Sequence, residues 1–407
     1  MHTSEVLDGQ PRHGTKSLHL RVYENLADIE ALRAEWDELL CEFPGATTFS
    51  SWEWLAPWWR AFGEHRQLLV LAFLDESSRL VGLAPLSVGV RRTFLTNLRV
   101  LNFWGDGSQD SDNLDFPVRA NYQDEIARAL LDYLAKATGR WDHCELNTMP
   151  ENSPVGNALL RHLARRRWTA YHRRQAGSAI QLPETWEAYR LQLSSKERGK
   201  IAYRRNLLEK KYTTRFYKCV NHAELEAYLG TLFALHQKRW QSIGEPGSFQ
   251  PAARRQFYFE MATQLLARER LELWLLDLDG KPAAAQFGFC FNSTFFSLQE
   301  GYDPAYSQDS VGFVLRAHVI RQLIGAGVRR YDFLAGESES KARWDAGITQ
   351  YVNAHFARPA SKGSAYLQTI HSATQGKEWL RAHLSENGWK ALHWLNTTMH
   401  RVKRPGS

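Results

Sequence analysis

Apolar and polar positions along the chain follow two periodicities in turn. The segment LADIEALRAEWDELL, starting at residue 26, places its apolar residues three and four apart, as one face of a helix requires. The aromatic stretch TTFSSWEWLAPWWRAFGE reads as a second helix, and QLLVLAFLDESSRLVGLAPLSV as two strands joined by a polar turn. From residue 222 the order returns. HAELEAYLGTLFALHQKRW and GSFQPAARRQFYFEMATQLLARE predict helices, and LELWLLDLDGKPAAAQFGFCF predicts a hairpin. Phe49 and Phe249 hold like places in the two series. The series also end alike: DEIARALLDYLAKATGRWDHCELNTMPENS and GFVLRAHVIRQLIGAGVRRYDFLAGESES each read as helix, short turn, apolar strand and polar loop. Glu145 thereby parallels Asp332.

Consecutive elements repeated in one order predict two α/β domains of a single fold, over 19–176 and 177–360, the second opening with the strand SAIQLP. A helix–turn–strand after antiparallel hairpins predicts a mixed, mostly antiparallel sheet with one crossover and helices on both faces. A helical tail follows over 361–407. There GKEWLRAHLSENGWKALHWL has helical spacing and offers Trp379, Leu380, Leu384, Trp389, Leu392 and Trp394 as apolar surface. The tail is expected to pack back on the body, with docking of a basic amphipathic helix on a membrane surface as the alternative.

Composition adds limits. At 407 residues, 43% apolar and 23% charged, the chain suits two folded domains and not a disordered one. Cys41, Cys144, Cys219 and Cys290 lie far apart without a CxxC, so neither a zinc site nor a disulfide framework is expected, and a reducing cytoplasm fits. The N-terminus lacks an apolar signal region, and no run reaches the roughly 18 apolar residues of a membrane span. The net charge of +7 gathers in RHLARRRWTAYHRR, in SSKERGKIAYRRNLLEKKY over 194–212 and in the C-terminal HRVKRPGS. Such clusters point to an anionic partner: a nucleotide cofactor, tRNA, a phospholipid surface or an acidic polymer, with DNA not expected.

Chemistry concentrates in two loops. Ser307 to Gly312 lies between an apolar strand and a helix, where helix-terminal N–H groups favour phosphate. Ser310 is placed as the N-cap, and Gly312 permits close approach of a ligand. Within the helix Val311, Leu315, Val319 and Leu323 recur every four residues and should face the sheet. In the first half, LNFWGDGSQDSDNLDFPV carries Asp106, Asp110, Asp112 and Asp115. The D-x-[DN]-x-[DN]-G spacing of a calcium loop is absent, so no metal is expected, and the loop is read as lining a cleft between the domains.

The order of elements resembles the GNAT N-acetyltransferase fold. Two such units in tandem resemble Fem-type aminoacyl transferases and the acetyltransferases associated with cellulose and exopolysaccharide synthesis (CelD/BcsL type). The motifs carrying this resemblance are SSWEWLAPWWRAFG, LVGLAPL, HQKRW, QEGYDPAYSQDSVGFVL and YDFLAGESESKARW. It implies direct acyl transfer from acetyl-CoA or another acyl-CoA, without a metal, to an amine or hydroxyl. It implies a pyrophosphate cradle at Gln308, Ser310, Val311 and Gly312, and a donor arm between Phe296–Gly301 and Tyr331–Ala335. A backbone N–H near Leu298 or Gln299 would stabilise the oxyanion. The loop QDSVGF departs from the family pattern in having one glycine and Val311 in place of proline; Ala335 and Ser340 stand where arginine and tyrosine are usual.

An amine nucleophile must lose a proton, and Glu300, Asp303, His318, Asp332 and Glu337 are the candidate acceptors. Asp332, on an apolar strand, is expected to pair with Lys341 or Arg239. His236 shares a helix with Arg239 and Trp240. Asp332, Lys341, His236 and Glu300 are therefore the candidate catalytic groups, and Arg239, Trp240, Asp303, Glu337, Trp344 and Asp112 the candidate acceptor contacts. The first unit has no glycine loop before its helix and is expected to have lost donor binding. The function expected is an acyltransferase acting on a polysaccharide, lipid-precursor or other cell-envelope acceptor, cytoplasmic or peripheral to the membrane's inner face. The alternatives are aminoacyl-tRNA-dependent transfer to a peptidoglycan-type precursor, with the 194–212 helix on RNA phosphates, and a non-catalytic scaffold in polysaccharide synthesis.

Overall fold

The computed structural model describes residues 4–5, 17–93 and 96–383. The first half contains β1 (Ser4–Glu5), β2 (His19–Tyr23), α1 (Leu26–Glu30), α2 (Arg33–Glu42), α3 (Trp52–Phe62), β3 (Gln67–Leu74), β4 (Leu80–Arg92), β5 (Asn97–Phe103), α4 (Gln123–Lys136), β6 (His143–Pro150), α5 (Pro154–Arg165) and β7 (Thr169–Gln181). The second half contains α6 (Trp186–Gln192), α7 (Ser195–Lys211), β8 (Thr214–Lys218), α8 (His222–Gln241), α9 (Ala252–Ala267), β9 (Leu271–Leu278), β10 (Lys281–Phe291), β11 (Thr294–Tyr302), α10 (Val311–Gly325), β12 (Arg330–Ala335), α11 (Glu339–Ala342), β13 (Gly347–Ala357) and α12 (Lys362–His383). The helix expected at 26–40 is thus two helices, the first capped by Asn25, whose side chain accepts the Asp28 amide.

All strands join one mixed sheet in the order β1-β2-β3-β4-β5-β6-β13-β7-β12-β11-β10-β9-β8. The order reads alike from both ends, β2 to β6 on one side answering β8 to β12 on the other, with the last strands exchanged in the middle. β7 leaves the first half to pair with β12, and β13 leaves the second to pair with β6. The two pair with each other without interruption from Gly347–Ala179 to Ala357–Thr169. A boundary between 176 and 177 therefore falls inside β7, and SAIQLP is the end of that strand instead of the start of a new one.

In each unit a crossover helix makes one parallel pairing, and that pairing is short. β11 and β12 are joined from Thr294–Arg330 to Phe296–Asp332 and then part; β5 and β6 are joined from Val100–His143 to Asn102–Glu145. The second unit alone adds a β-bulge next to its wedge. Gln299 lies opposite Phe287 and Ser297 opposite Gly288, leaving Leu298 without a partner in β10, whereas β4 and β5 keep register from Leu86–Phe103 to Arg92–Asn97.

One core lies over α2, α3, α8 and α9 and holds Trp36, Trp52, Trp54 and Trp104; a second lies under α6, α7 and α10. Val311, Leu315, Val319 and Leu323 are buried in it, as their spacing predicts. Glu53, fully buried on α3, binds Arg33 of its own unit at 3.1 Å and Arg268 of the other at 3.3 Å, tying the halves together. The beginning of α12 packs on the sheet: Tyr366 lies 5.2 Å from the His143 ring and His371 stacks on Tyr171 at 3.9 Å. Farther along, residues 372–376 are exposed and Trp379 is 60% exposed. Leu384, Trp389, Leu392 and Trp394 lie outside the described residues. Among those described, no helix is long and apolar enough to cross a membrane.

Candidate active site

β11 ends at Tyr302 and a 3-10 turn, Pro304–Asp309, delivers the chain to α10. Asp303 shapes the turn by accepting the Ala305 amide at 3.1 Å and binds Lys238 at 2.7 Å, so its carboxylate is committed. Ser310 occupies the N-cap position, but its backbone is left-handed (φ 57, ψ 40) and its hydroxyl makes no capping bond. Among the described residues no group accepts from the amides of Val311 and Gly312. A left-handed residue after a helical one turns successive N–H groups into an anion-binding concavity.

Those amides open onto a cleft of about 280 Å³ whose walls include Lys200, Arg239, Arg316 and Arg343 against the single acid Glu300. Ser310, Val311, Gly312 and Trp344 line it as well. Lys200 lies 4.6 Å over the Phe313 ring, and Arg239 donates to the Glu300 carbonyl at 3.3 Å. Gln308, expected in the cradle, is exposed and does not line this cleft; its carbonyl accepts Arg204 at 2.9 Å. Asp309 turns away from the amides to accept Lys211 at 2.9 Å and Tyr212 at 3.0 Å. Basic side chains of α7 therefore flank the loop.

On the cleft floor the Glu300 carboxylate accepts Arg316 Nε at 3.0 Å and a second N–H of the same guanidinium. Burial works against the Arg316 charge, but Glu300 outweighs it and raises the pKa. Glu300 is thus the counter-ion of a buried cation and not an open proton acceptor. Tyr331 donates to Ser297 Oγ at 3.1 Å and accepts Gln286 Nε2 at 2.5 Å, spanning the base of the wedge.

The opposite side of the wedge is built by both units. Asp332 accepts the Leu334 amide at 2.8 Å and the Arg330 guanidinium at 2.9 Å; neither Lys341 nor Arg239 bonds to it. Arg330 takes that place because residues two apart on a strand share a face. Lys341 instead donates to three carbonyls, Phe333 at 3.1 Å, Ala335 at 3.2 Å and Gly336 at 2.7 Å, which makes it a brace for the flared end of β12. Burial lowers its pKa although Asp332 and Asp112 oppose the change. Between these groups Leu334 holds a left-handed backbone at φ 64, an uncommon conformation for leucine.

The aspartate-rich loop of the first unit crosses this opening. Asp110 accepts Gln299 Nε2 of β11 at 3.2 Å and Tyr258 at 2.6 Å, and pairs with Arg254. Two residues on, Asp112 accepts the Ala335 amide of β12 at 2.7 Å. Burial, reinforced by Asp332 and partly offset by the Ala335 and Asn113 amides, pushes the Asp112 carboxyl up to about 7. Asp106 pairs with Arg66, while Asp115 is buried against Ser153, so the four aspartates have separate partners and do not gather around one point. No group of three or more metal-ligating side chains exists among the described residues. The end of the same loop returns to its own unit, with Phe116 on Phe103 at 4.9 Å. There α4 starts with Asp124 and Glu125, acids where α10 presents open amides.

Other expected groups stand apart. His236 is buried on α8, its Nε2 already accepting Trp240 Nε1 at 2.8 Å. Burial, with Arg239 and Arg254 nearby, lowers its pKa to about 4, so it is neutral at pH 7. His318 stacks on Phe216 at 4.2 Å in a separate pocket. Glu337 is exposed beyond β12 and does not line the cleft. Conversely, Lys200, Gln286 and Arg316 line the cleft without having been singled out as site residues. Lys200 stands in the basic segment already noted; nothing in the local sequence marks Gln286.

Residues 195–344 match the family model described as an acetyltransferase (GNAT) domain. Among solved structures the chain resembles FemX, with a TM-score of 0.60 and 12% identity over 83% of this chain and 98% of that one. It also resembles the C-terminal domain of a candidate lysylphosphatidylglycerol synthetase from Agrobacterium fabrum, with a TM-score of 0.50 and 10% identity over 83% and 95% of the chains. A tandem GNAT protein from the clavulanic acid biosynthesis pathway superposes with a TM-score of 0.44 and 13% identity over 83% and 98%. No curated protein matches the sequence. Likeness at these identities concerns the fold. The chain folds as two GNAT-like units on one sheet, and the match to the GNAT acetyltransferase domain model falls within the second unit.

Proposed function

We propose that the protein transfers an acyl group from acyl-CoA, held by the second unit, to an amine or hydroxyl of a cell-envelope or polysaccharide-related acceptor. The observation that carries this reading is the cleft itself: two open helix-terminal amides, four cationic walls, and a floor leading to a wedge beside the unpartnered Leu298. Donor phosphates would rest on Val311 and Gly312, with Arg239 and Lys200 supplying charge. The acyl carbonyl would enter the wedge, where the bulge offers a backbone N–H to the developing oxyanion, an effect worth about 3 kcal/mol.

The acceptor would approach from the side closed by the first unit's loop. A carboxyl raised toward neutrality by burial is suited to take the nucleophile's proton, and Asp112, set against the flare of β12 by its bond to the Ala335 amide, is the group proposed for it. The acceptor's nitrogen or oxygen bonds to the acyl carbon, the carbon–sulfur bond breaks, the nucleophile's proton passes to Asp112, and CoA leaves as thiolate. Lys341 would hold the flare of β12 rather than exchange protons. The first unit, with β4 and β5 in unbroken register and acids at the start of α4, would act as acceptor platform.

Aminoacyl-tRNA as donor is the second reading, favoured by Lys200, Arg204 and Lys211 of α7, which border the loop and would extend the anionic site outward. The test is calorimetric titration of the full chain with acetyl-CoA and with tRNA at several salt concentrations. Acetyl-CoA binding supports the proposal; absence of it, with tRNA binding that falls steeply with salt, replaces the first reading by the second.

A further inference from the structure

We infer that the second unit admits only short acyl groups, and that Tyr331 and Ser297 set the limit. The inference rests on the donor reading above. If the thioester lies beside Leu298, its acyl chain points toward the apex of the wedge, where β11 and β12 come together at Phe296 and Asp332. Residues advance by about 3.3 Å along a strand, so the two positions from Leu298 to Phe296 span roughly 7 Å before the strands close.

That short space is barred. The Tyr331 side chain lies across the wedge on the cleft side, fully buried, its hydroxyl tied to Ser297 Oγ at 3.1 Å on the opposing strand and to Gln286 Nε2 at 2.5 Å on the next. The Arg316 charge also acts on this tyrosine, so the ring is held by two hydrogen bonds beside a cation. Behind the apex, on the other face, Phe296 packs edge-on against Phe49 of the first unit at 5.8 Å and beside Phe289 at 5.7 Å. An acyl chain longer than a few carbons would have to displace an anchored tyrosine or a closed aromatic cluster. Packed interiors resist such overfilling.

The geometry also explains why Ser297 and Gln286 are polar at otherwise apolar positions: each supplies a partner that a buried tyrosine hydroxyl requires. The restriction thus arises from a hydrogen-bonded bar and not from bulk alone, and it can be removed without touching the phosphate end of the cleft.

The experiment is a titration of the full chain with free CoA, acetyl-CoA and hexanoyl-CoA, for the wild type, Tyr331→Leu and Ser297→Gly. Free CoA tests the donor reading independently of the acyl group. The expected result is comparable binding of CoA and acetyl-CoA, with hexanoyl-CoA at least about ten-fold weaker in the wild type. Tyr331→Leu should bring hexanoyl-CoA to within about three-fold of acetyl-CoA. Ser297→Gly, which frees the ring and leaves it in place, should give an intermediate value and serves if the buried tyrosine cannot be replaced without unfolding. Equal binding of both acyl-CoAs by the wild type overturns the inference. So does continued exclusion of hexanoyl-CoA by folded variants that bind CoA. Failure to bind free CoA overturns the donor reading and the inference with it.

Discussion

Asp112 accepts the Ala335 amide at 2.7 Å, so the flared end of β12 is held by a carboxylate from the other unit. Two residues earlier Asp110 holds Gln299 of β11 at 3.2 Å. One loop of the first unit therefore bridges the strands that part to form the second unit's wedge. The two units make one candidate centre between them.

This relationship has a pH signature. Asp112 is raised from an ordinary carboxylate value near 4 to about 7 by burial. The folded protein holds the proton more tightly than the unfolded chain, so the group's contribution to stability is complete below about pH 4 and is lost as pH rises through about 7. Asp112→Asn cannot lose it. Urea unfolding of both proteins should show the variant gaining on the wild type by about 2–4 kcal/mol between pH 4 and pH 8. Asp115, also raised by burial to about 7, is present in both proteins and cancels in the difference. Parallel curves would remove Asp112 from the titration.

Glu53 is fully buried and faces arginines of both units, Arg33 at 3.1 Å, Arg268 at 3.3 Å and Arg270 at 3.8 Å. Removing one partner of a buried ion cluster leaves charge uncompensated. Glu53→Gln should lower the unfolding free energy by about 3 kcal/mol, a value reduced if the partly exposed arginines turn to solvent. Chemical denaturation measures it, and an unchanged midpoint would show that the clamp contributes nothing to stability.

Gly301 lets α8 lie directly on β11. A methyl group there would sit 2.5 Å from the His236 nitrogen and 2.8 Å from the Leu235 carbonyl carbon, both main-chain atoms that cannot rotate away. Gly301→Ala should cost about 1–3 kcal/mol in chemical denaturation. It should also weaken donor binding, because α8 carries Arg239 at the cleft.

Much of the architecture was legible because helical and strand periodicities are local. The two-fold recurrence of helices, hairpin, strand, helix and strand is visible in the apolar pattern, and so are the strands that form the wedge. The exchange of β7 and β13 is not, since an uninterrupted run of extended residues carries no mark of which distant strand it joins. That is why a boundary at 176/177 divides a strand. The partner of Asp332 could have been read: Arg330, two residues back, shares its face on any strand. Asp112 was identifiable as a polar loop residue, but its neutral-range titration depends on burial between Ala335 and Asp332, contacts 220 or more residues away along the chain. Glu300 looked available until α10 brought Arg316 onto it.

The most direct test of the donor site is Gly312. A Cβ at this position meets only Tyr302, at 3.8 Å, so a side chain enters the cleft without disturbing the packing. Gly312→Asp would put a negative charge where donor phosphates are proposed to rest. The wild type should bind CoA measurably in calorimetric titration and this variant should not, with its thermal unfolding midpoint preserved. CoA binding of equal affinity in the two proteins would contradict the proposed donor site.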